Sequence, residues 1–235
     1  MNKLIVVTGG SKGIGRAIIE KFIAQNFDVA TCARQMPALE KLQSELISSH
    51  PHANVFIHRA DLAIMSEVNS FCNFVRDLKR PVDVLVNNAG YFIPGQIINE
   101  AEDTLHRMIQ ANLYSAYHTT KGLIDLMKNG RGRYIFNMCS IASFMAYPNG
   151  GSYAISKFAL LGFSKCLREE LKEEGIRVSA VMPGATRTES WEGTPLPDSR
   201  FIPPQDVAET IFGAYALSDR SVVEEIVIRP QLGDL

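Results

Sequence analysis

The alternation of short β-rich runs with longer helix-patterned segments restricts this 235-residue chain to few folds. Strands that alternate with helices are joined by right-handed crossovers, which make the strands parallel and cover both faces of the sheet. The seven predicted strands are 4–8, 29–33, 54–58, 82–86, 134–138, 178–182 and 225–229. The predicted helices lie near 14–26, 38–48, 66–79, 101–128, 152–174 and 206–217.

This order predicts a single α/β domain over residues 1–235, a doubly wound sheet of seven parallel strands with helices on both faces. In such sheets ligands bind at the carboxyl ends of the strands. One segment interrupts the alternation: residues 186–204 are rich in Pro, Gly, Ser and Thr. Because long loops in compact domains are often functional, we expect 186–204 to be a substrate-binding loop.

Composition excludes several classes of partner. Lys and Arg total 24 against 25 Asp and Glu, interspersed along the chain, so we predict no nucleic-acid partner. No apolar run reaches membrane-spanning length and no signal peptide is recognisable, so we predict no membrane partner. The histidines lack metal-binding spacing, and we predict no metal site. The scattered cysteines contain no CxxC pair, which favours reduced thiols and a cytoplasmic location; they are Cys32, Cys72, Cys139 and Cys166.

A glycine-rich turn follows the first strand and leads into the first helix. It reads Thr8-Gly9-Gly10-Ser11-Lys12-Gly13-Ile14-Gly15. Glycines let the backbone turn sharply and approach a pyrophosphate, which the positive end of the following helix attracts. A purely structural tight turn is the alternative. The context predicts a dinucleotide site, and thus a Rossmann-type fold.

The end of the second strand bears on which dinucleotide binds. Sites for NAD commonly carry an acidic residue there, whereas an arginine accommodates a 2′-phosphate. Here the strand ends in Arg34 without a carboxylate, and Lys12 can converge on the same phosphate. We therefore predict NADP(H) in preference to NAD(H).

Tyr153 and Lys157 lie one helical turn apart near the start of a predicted helix. A nearby ammonium and the positive end of the helix are expected to lower the phenol pKa from about 10 towards neutrality. Ser140 ends the preceding strand and is expected to orient and polarise a carbonyl. Asn112 is helix-interior by pattern, where asparagine has poor helix propensity, and this favours a functional role.

Together these motifs resemble the short-chain dehydrogenase/reductase family over nearly the whole chain. The resemblance rests on the GxxxGxG turn, 87–90 (Asn-Asn-Ala-Gly), Ser140, the YxxxK pair and Pro183-Gly184. It implies that Tyr153 is the general acid and base, Lys157 lowers its pKa and contacts the nicotinamide ribose, Ser140 holds the substrate oxygen, and Asn112 supports a water-linked proton relay.

The resemblance also implies further cofactor contacts beside those of the turn. They are Asp61 and Leu62 at the adenine, Asn88, Ala89 and Gly90 at the adenosine, and Pro183, Gly184, Thr186 and Thr188 near the nicotinamide. Two of these residues have a structural alternative to cofactor binding. Asp61 would then be a turn or cap residue, and Asn88 would support the central sheet. The chain departs from the family pattern at Thr186, where an aliphatic residue is usual, and at Ile64, where a capping Asp is frequent.

Aromatic and apolar residues near the expected nicotinamide end are candidates for the substrate wall, with ordinary packing as the alternative. They are Tyr91, Phe92, Phe144, Met145, Tyr147 and Trp191. The helix at 152–174 is apolar around more of its circumference than one core face needs. The resemblance implies that this helix and the helix at 101–128 pair across a two-fold axis, so we predict a homodimer or homotetramer.

Three other function classes remain open at this point. A non-catalytic, cofactor-sensing regulator would need the glycine turn but not Ser140, Tyr153 and Lys157 together. A methyltransferase would normally place an acidic residue near Arg34, and a related sugar epimerase would be longer.

Overall fold

The computed structural model describes residues 2–128 and 132–235. Its centre is a sheet of seven parallel strands in the order β3-β2-β1-β4-β5-β6-β7. The strands are β1 (Lys3–Thr8), β2 (Phe27–Ala33), β3 (Val55–Arg59), β4 (Val84–Asn87), β5 (Arg133–Met138), β6 (Ile176–Pro183) and β7 (Glu225–Ile228). The predicted doubly wound fold is therefore confirmed, and every strand end lies within two residues of the prediction.

The inner strands are buried along their length. Leu4, Ile5, Val6 and Val7 of β1 are each 0% exposed, and alternate residues contribute to separate apolar clusters on the two faces of the sheet. A continuous run of branched apolar residues suits a strand that is covered on both faces. The sheet is thus the rigid base from which the loops at its carboxyl edge project.

Helices cover both faces. They are α1 (Gly13–Ile23), α2 (Met36–Ser49), α3 (Met65–Asp77), α4 (Thr104–Ile109), α5 (Ser115–Met127), α6 (Gly151–Leu171) and α7 (Pro204–Ala216). The prediction ran α1 on to residue 26, but Asn26 has φ +61°. This left-handed conformation, which asparagine tolerates, ends the helix.

The single long helix predicted at 101–128 is wrong. The structure has α4 and α5 joined by five π-helical residues, Gln110–Tyr114. Asn112 lies in this segment, and its side chain bonds to groups outside the helix. A π-helical turn widens the backbone locally and is frequent at functional sites. The periodicity of the apolar residues on either side does not reveal the widening.

The order of the strands reverses direction between β1 and β4, because β2 and β3 lie on one side of β1 and β4 to β7 on the other. A crevice opens outside the carboxyl ends of the strands at such a point. The loops after β1, β4, β5 and β6 therefore meet there. Within the described residues, no helix has the length and apolarity needed to cross a membrane.

Candidate active site

The glycine turn after β1 is fixed to the end of β2. The N–H groups of Gly9 and Gly10 both donate to the Cys32 carbonyl, at 3.0 and 3.2 Å. Gly9 and Gly13 have φ +68° and +54°, a region that favours glycine. At Gly10 a Cβ would overlap the side chains of Thr31 and Ile19. The glycines are therefore required by the geometry of the turn.

The amino end of α1 is open towards the crevice. Its N-cap residue Lys12 makes no side-chain capping bond, and no acidic residue lies in the first turn. The unpaired N–H groups and the helix dipole at such an end attract an anion. This local geometry fits the pyrophosphate of a dinucleotide.

Asn88 ties the loop after β4 to the glycine turn. Its side-chain N–H₂ donates to the carbonyls of Thr8 and Gly9, at 2.9 and 3.0 Å. The Thr8 hydroxyl oxygen accepts from the N–H groups of Asn88 and Ala89, both at 2.9 Å. Asn88 thus has the supporting role that was the structural alternative, while it also lines the crevice.

Ser140 is held rigidly at the end of β5. It caps a 3₁₀ turn, Ile141–Ser143, and its hydroxyl oxygen accepts from the Ala142 N–H at 3.1 Å. The Ser143 hydroxyl oxygen accepts in turn from the Ser140 N–H at 3.2 Å. The Ser140 side chain also lines the crevice and forms a hydrogen bond with Tyr153.

Tyr153 is half-buried and lies in the first turn of α6. Burial raises its pKa above the usual value, and a hydrogen bond with Ser140 opposes that rise. The ring of Phe92 packs edge-on against the Tyr153 ring, with centroids 4.8 Å apart. Lys157 is not among the groups that shift this pKa, so the structure gives no support to the prediction that Lys157 lowers it.

Lys157 is 6% exposed, and its Nζ donates to the Met138 carbonyl at 2.7 Å. Nζ lies 5.7 Å from the centre of the Tyr153 ring. Burial lowers the pKa of Lys157 from 10.5 to about 8, because a charged ammonium is poorly solvated there. The ammonium is therefore fixed by the end of β5 on the same side of the crevice as the phenol.

Asn112 lies behind the crevice and is 1% exposed. Its Oδ1 accepts from the Tyr91 N–H at 2.9 Å, and its Nδ2 donates to the Tyr91 carbonyl at 3.1 Å and to the Ser156 hydroxyl at 2.9 Å. A Cβ at Gly90 would lie 2.7 Å from Asn112 Oδ1. The side chain therefore clamps the start of the loop after β4; its part in a proton relay stays a prediction.

The two predicted cations of the 2′-phosphate site differ in their surroundings. Lys12 forms an exposed ion pair with Glu189 of the 186–204 loop. Arg34 is exposed and, within the described residues, makes no ion pair. Arg34 is thus available to an anionic ligand, whereas Lys12 would have to exchange partners.

Most other predicted cofactor residues line the same crevice, whose volume is about 1600 Å³. Asp61 forms a turn, since its Oδ1 accepts from the Ala63 N–H at 3.0 Å, as the structural alternative required. Thr186 is buried and its hydroxyl donates to the Gly184 carbonyl at 3.0 Å. The lining residues are Gly9, Ser11, Lys12, Ile14, Gly15, Arg34, Asp61, Leu62, Asn88, Ala89, Gly90, Pro183, Gly184, Thr186 and Thr188, with Ser140, Tyr153 and Lys157. Gly13 does not line it, although a Cβ there would lie 3.3 Å from Thr188 Cγ2.

Five of the six residues proposed for the substrate wall also line the crevice: Tyr91, Phe92, Met145, Tyr147 and Trp191. Phe144 does not; it directly follows the 3₁₀ turn after Ser140 and is 45% exposed. Burial raises the pKa of Tyr147 to about 12, and the neighbouring Tyr153 adds to the rise. The wall near the phenol is therefore largely apolar, with two further hydroxyls, those of Tyr91 and Tyr147.

Sequence reasoning missed several residues of the site. Thr8 and Ser143 hold Asn88 and Ser140 in place, and His106, Arg107 and Gln110 add a polar side to the crevice. Ser143 follows Ser140 by three residues, a capping-box spacing that offered a signal. His106 and Arg107 of α4 and Gln110 of the π-helical segment offered none, because their position at the crevice depends on the packing of α4 on α6.

Comparison with known proteins identifies the family. A family model described as short chain dehydrogenase matches residues 3–196. The chain belongs to the short-chain dehydrogenase/reductase family, whose members are oxidoreductases, as the motifs predicted.

Individual relatives agree with this assignment. A 3alpha-hydroxysteroid dehydrogenase from Mediterraneibacter gnavus is 30% identical over 217 residues, covering 88% of this chain and 87% of that protein. The alcohol dehydrogenase of Thermococcus sibiricus, solved with 5-hydroxy-NADP, is 28% identical with a TM-score of 0.91, covering 97% of each chain. The L-sorbose reductase of Gluconobacter frateurii, solved with NADPH and L-sorbose, is 25% identical with a TM-score of 0.88, covering 97% of this chain and 95% of that one.

Proposed function

We propose that this protein transfers a hydride between NADP(H) and a carbonyl or secondary alcohol substrate, with Tyr153 as the general acid and base. The observation that carries the proposal is that Ser140, Tyr153 and Lys157 line one crevice with the open amino end of α1. A cofactor-sensing regulator would need only the open amino end of α1 and not the three side chains. Nothing in the geometry favours that alternative.

The cofactor proposal rests on the charges around the crevice. The glycine turn and the start of α1 would hold the pyrophosphate, and Arg34 would pair with the 2′-phosphate. No carboxylate stands at the end of β2 to accept a ribose hydroxyl and repel that phosphate. The NADP and NADPH complexes among the matched structures are consistent with this preference.

The proton chemistry follows from the side chains. The cofactor supplies the hydride. In reduction Tyr153 gives its proton to the carbonyl oxygen as the alcohol forms, and Ser140 donates a hydrogen bond to the same oxygen. The raised pKa of Tyr153 keeps it protonated at neutral pH, as a proton donor must be. Lys157 then supports the phenolate left behind, and the reverse steps oxidise an alcohol.

The test is Tyr153→Phe. Loss of a positioned proton donor should lower kcat by about 10²- to 10⁴-fold, while the NADPH Kd stays within about twofold because the phenyl ring remains. The measurements are loss of reduced-nicotinamide absorbance with a panel of ketones and aldehydes, and thermal stabilisation by NADPH. Tyr117→Phe is the matched control, because Tyr117 is an exposed tyrosine of α5 that does not line the crevice. Normal turnover by Tyr153→Phe would refute the mechanism, and absence of turnover by the unaltered protein with every carbonyl would favour a regulator.

We also propose that the 186–204 loop recognises substrate and that the chain forms a homodimer or homotetramer. Trp191 of the loop lines the crevice and packs on Phe201 with ring centroids 5.2 Å apart. Ile155 and Phe158 of α6 are 40% and 46% exposed, an apolar face that a second copy of the chain would cover. A cytoplasmic location stays a prediction; the four cysteines are free thiols.

A further inference from the structure

A carboxylate from a distant loop caps the helix that carries Tyr153 and Lys157. Glu100 Oε1 accepts a hydrogen bond from the Ser152 N–H at 3.0 Å, and the Ser152 hydroxyl donates to Glu100 Oε2. Ser152 is 3% exposed and directly precedes Tyr153. The N-cap residue of α6, Gly150, has no side chain, so Glu100 satisfies an amide that α6 itself leaves unpaired. Its negative charge also suits the positive end of the helix.

Two glycines allow this contact. Gly151 has φ +40°, and a Cβ there would overlap Glu100 Oε1 and lie 2.5 Å from the Gly95 carbonyl oxygen. A Cβ on Gly95 would lie 2.8 Å from Glu100 Cγ. The Gly95 N–H also donates to the Asn149 carbonyl at 3.0 Å. The loop of residues 91–103 and the start of α6 therefore meet in close contact, which a side chain at either glycine would open.

The same loop forms part of the substrate wall. Asn112 clamps its first residue, Tyr91, and Phe92 packs against the ring of Tyr153. Glu100 fixes the far side of the loop to the residue next to Tyr153. The loop is thus held at Tyr91, at Gly95 and at Glu100, and the contact at Glu100 is the one made with the residue next to Tyr153.

We propose that Glu100 is a positioning residue, which holds Tyr153 in register with the substrate wall by joining the 91–103 loop to the amino end of α6. The proposal rests on the proposed function of Tyr153. Lys157 has its own anchor at the Met138 carbonyl, and the glycine turn lies on another element. Loss of Glu100 should therefore disturb turnover and substrate binding more than cofactor binding.

The experiment compares Glu100→Ala and Glu100→Gln with Glu102→Ala, an exposed control on the same loop. We expect Glu100→Ala to lower kcat about tenfold or more and to raise KM for the carbonyl substrate several-fold, with the NADPH Kd within about twofold. Glu100→Gln should recover most of kcat, because its amide oxygen still accepts from the Ser152 N–H. Glu102→Ala should match the unaltered protein.

Hydrogen exchange of the NADPH-bound protein gives a readout that does not depend on turnover. Glu100→Ala should speed exchange in both 91–103 and 151–157, whereas Glu102→Ala should speed neither. Faster exchange in the loop alone, with unchanged kcat and KM, would overturn the proposal, as would a loss of NADPH affinity that equals the loss of kcat.

If Glu100→Ala does not fold, Glu100→Asp replaces it: the shortened side chain should lower kcat below that of Glu100→Gln, and the reverse order would refute the capping contact. If the unaltered protein reduces no carbonyl, the proposed function fails, while the exchange comparison still decides the role of Glu100.

Discussion

Replacing Lys157 by methionine tests how much the buried ammonium destabilises the folded protein. Burial lowers the pKa of Lys157 from 10.5 to about 8, a difference of about 2.5 pKa units. One unit corresponds to about 1.4 kcal/mol, so the charged side chain costs about 3 kcal/mol of folding free energy at neutral pH. The hydrogen bond to the Met138 carbonyl, which methionine cannot make, offsets about 1 kcal/mol of this.

The net expectation for Lys157→Met is a protein that is about 2 kcal/mol more stable at pH 7 and inactive. For a domain of this size that difference raises Tm by about 4–8 °C. The dependence on pH has a definite sign. Below about pH 8 Lys157 is charged in the folded and in the unfolded protein, so the full cost of burying the charge is present. As pH rises from about 8 to 10.5 this cost falls, because Lys157 loses its proton in the folded protein first. Between pH 7 and pH 9.5 this cost falls by about 2 kcal/mol, so the gain in Tm should almost disappear at pH 9.5.

Thermal unfolding without added cofactor, followed by circular dichroism at both pH values, measures this effect. Lys41→Met is the control, because the Lys41 side chain is 76% exposed. The reasoning is refuted if Lys157→Met is no more stable than the unaltered protein at pH 7, or if its advantage is the same at pH 9.5. A lysine retained at such a cost is consistent with a functional role for its charge.

Two further predictions concern cofactor choice and assembly. Arg34→Ala should raise the NADPH Kd about tenfold or more and leave the NADH Kd within about twofold, measured by nicotinamide fluorescence, because Arg34 is exposed just after β2 and forms no ion pair with any described residue; an equal loss for both cofactors would contradict the 2′-phosphate contact. Phe158→Glu should turn a dimer or tetramer into smaller species in light scattering at micromolar concentration; a monomeric unaltered protein would contradict the proposed assembly.

Local patterns were sufficient to predict the sheet and the residues that meet at its carboxyl edge. Each motif lies next to a strand or helix end that can be recognised in the sequence: the glycine turn, Ser140, and the Tyr153–Lys157 pair. The fold class was therefore enough to predict that these motifs meet. Parallel strands bring their carboxyl ends to one edge whatever the detailed packing. This is why residues far apart in the sequence were assigned correctly to one crevice.

The features that sequence reasoning missed depend on contacts between distant segments. Glu100 caps α6 from 52 residues away, and the widened turn at Asn112 depends on bonds to Tyr91 and Ser156. Neither leaves a periodic signal in its own segment. Phe144 was misplaced for a related reason: apolar type and nearness to Ser140 do not determine on which side of a 3₁₀ turn a ring emerges.

The pKa of Tyr153 was expected to fall below the usual value of a phenol, whereas burial raises it. Because the phenol keeps its proton through neutral and alkaline pH, it is Lys157, with a pKa of about 8, that should limit reduction as pH rises. We expect kcat/KM for reduction to be level below pH 7 and to fall above about pH 8, since this parameter reports the free protein. In Lys157→Arg the guanidinium stays charged, so the residual activity should show no such fall. A profile that stays level to pH 9.5 in the unaltered protein, or the same fall in Lys157→Arg, would show that the ammonium does not control the proton transfer.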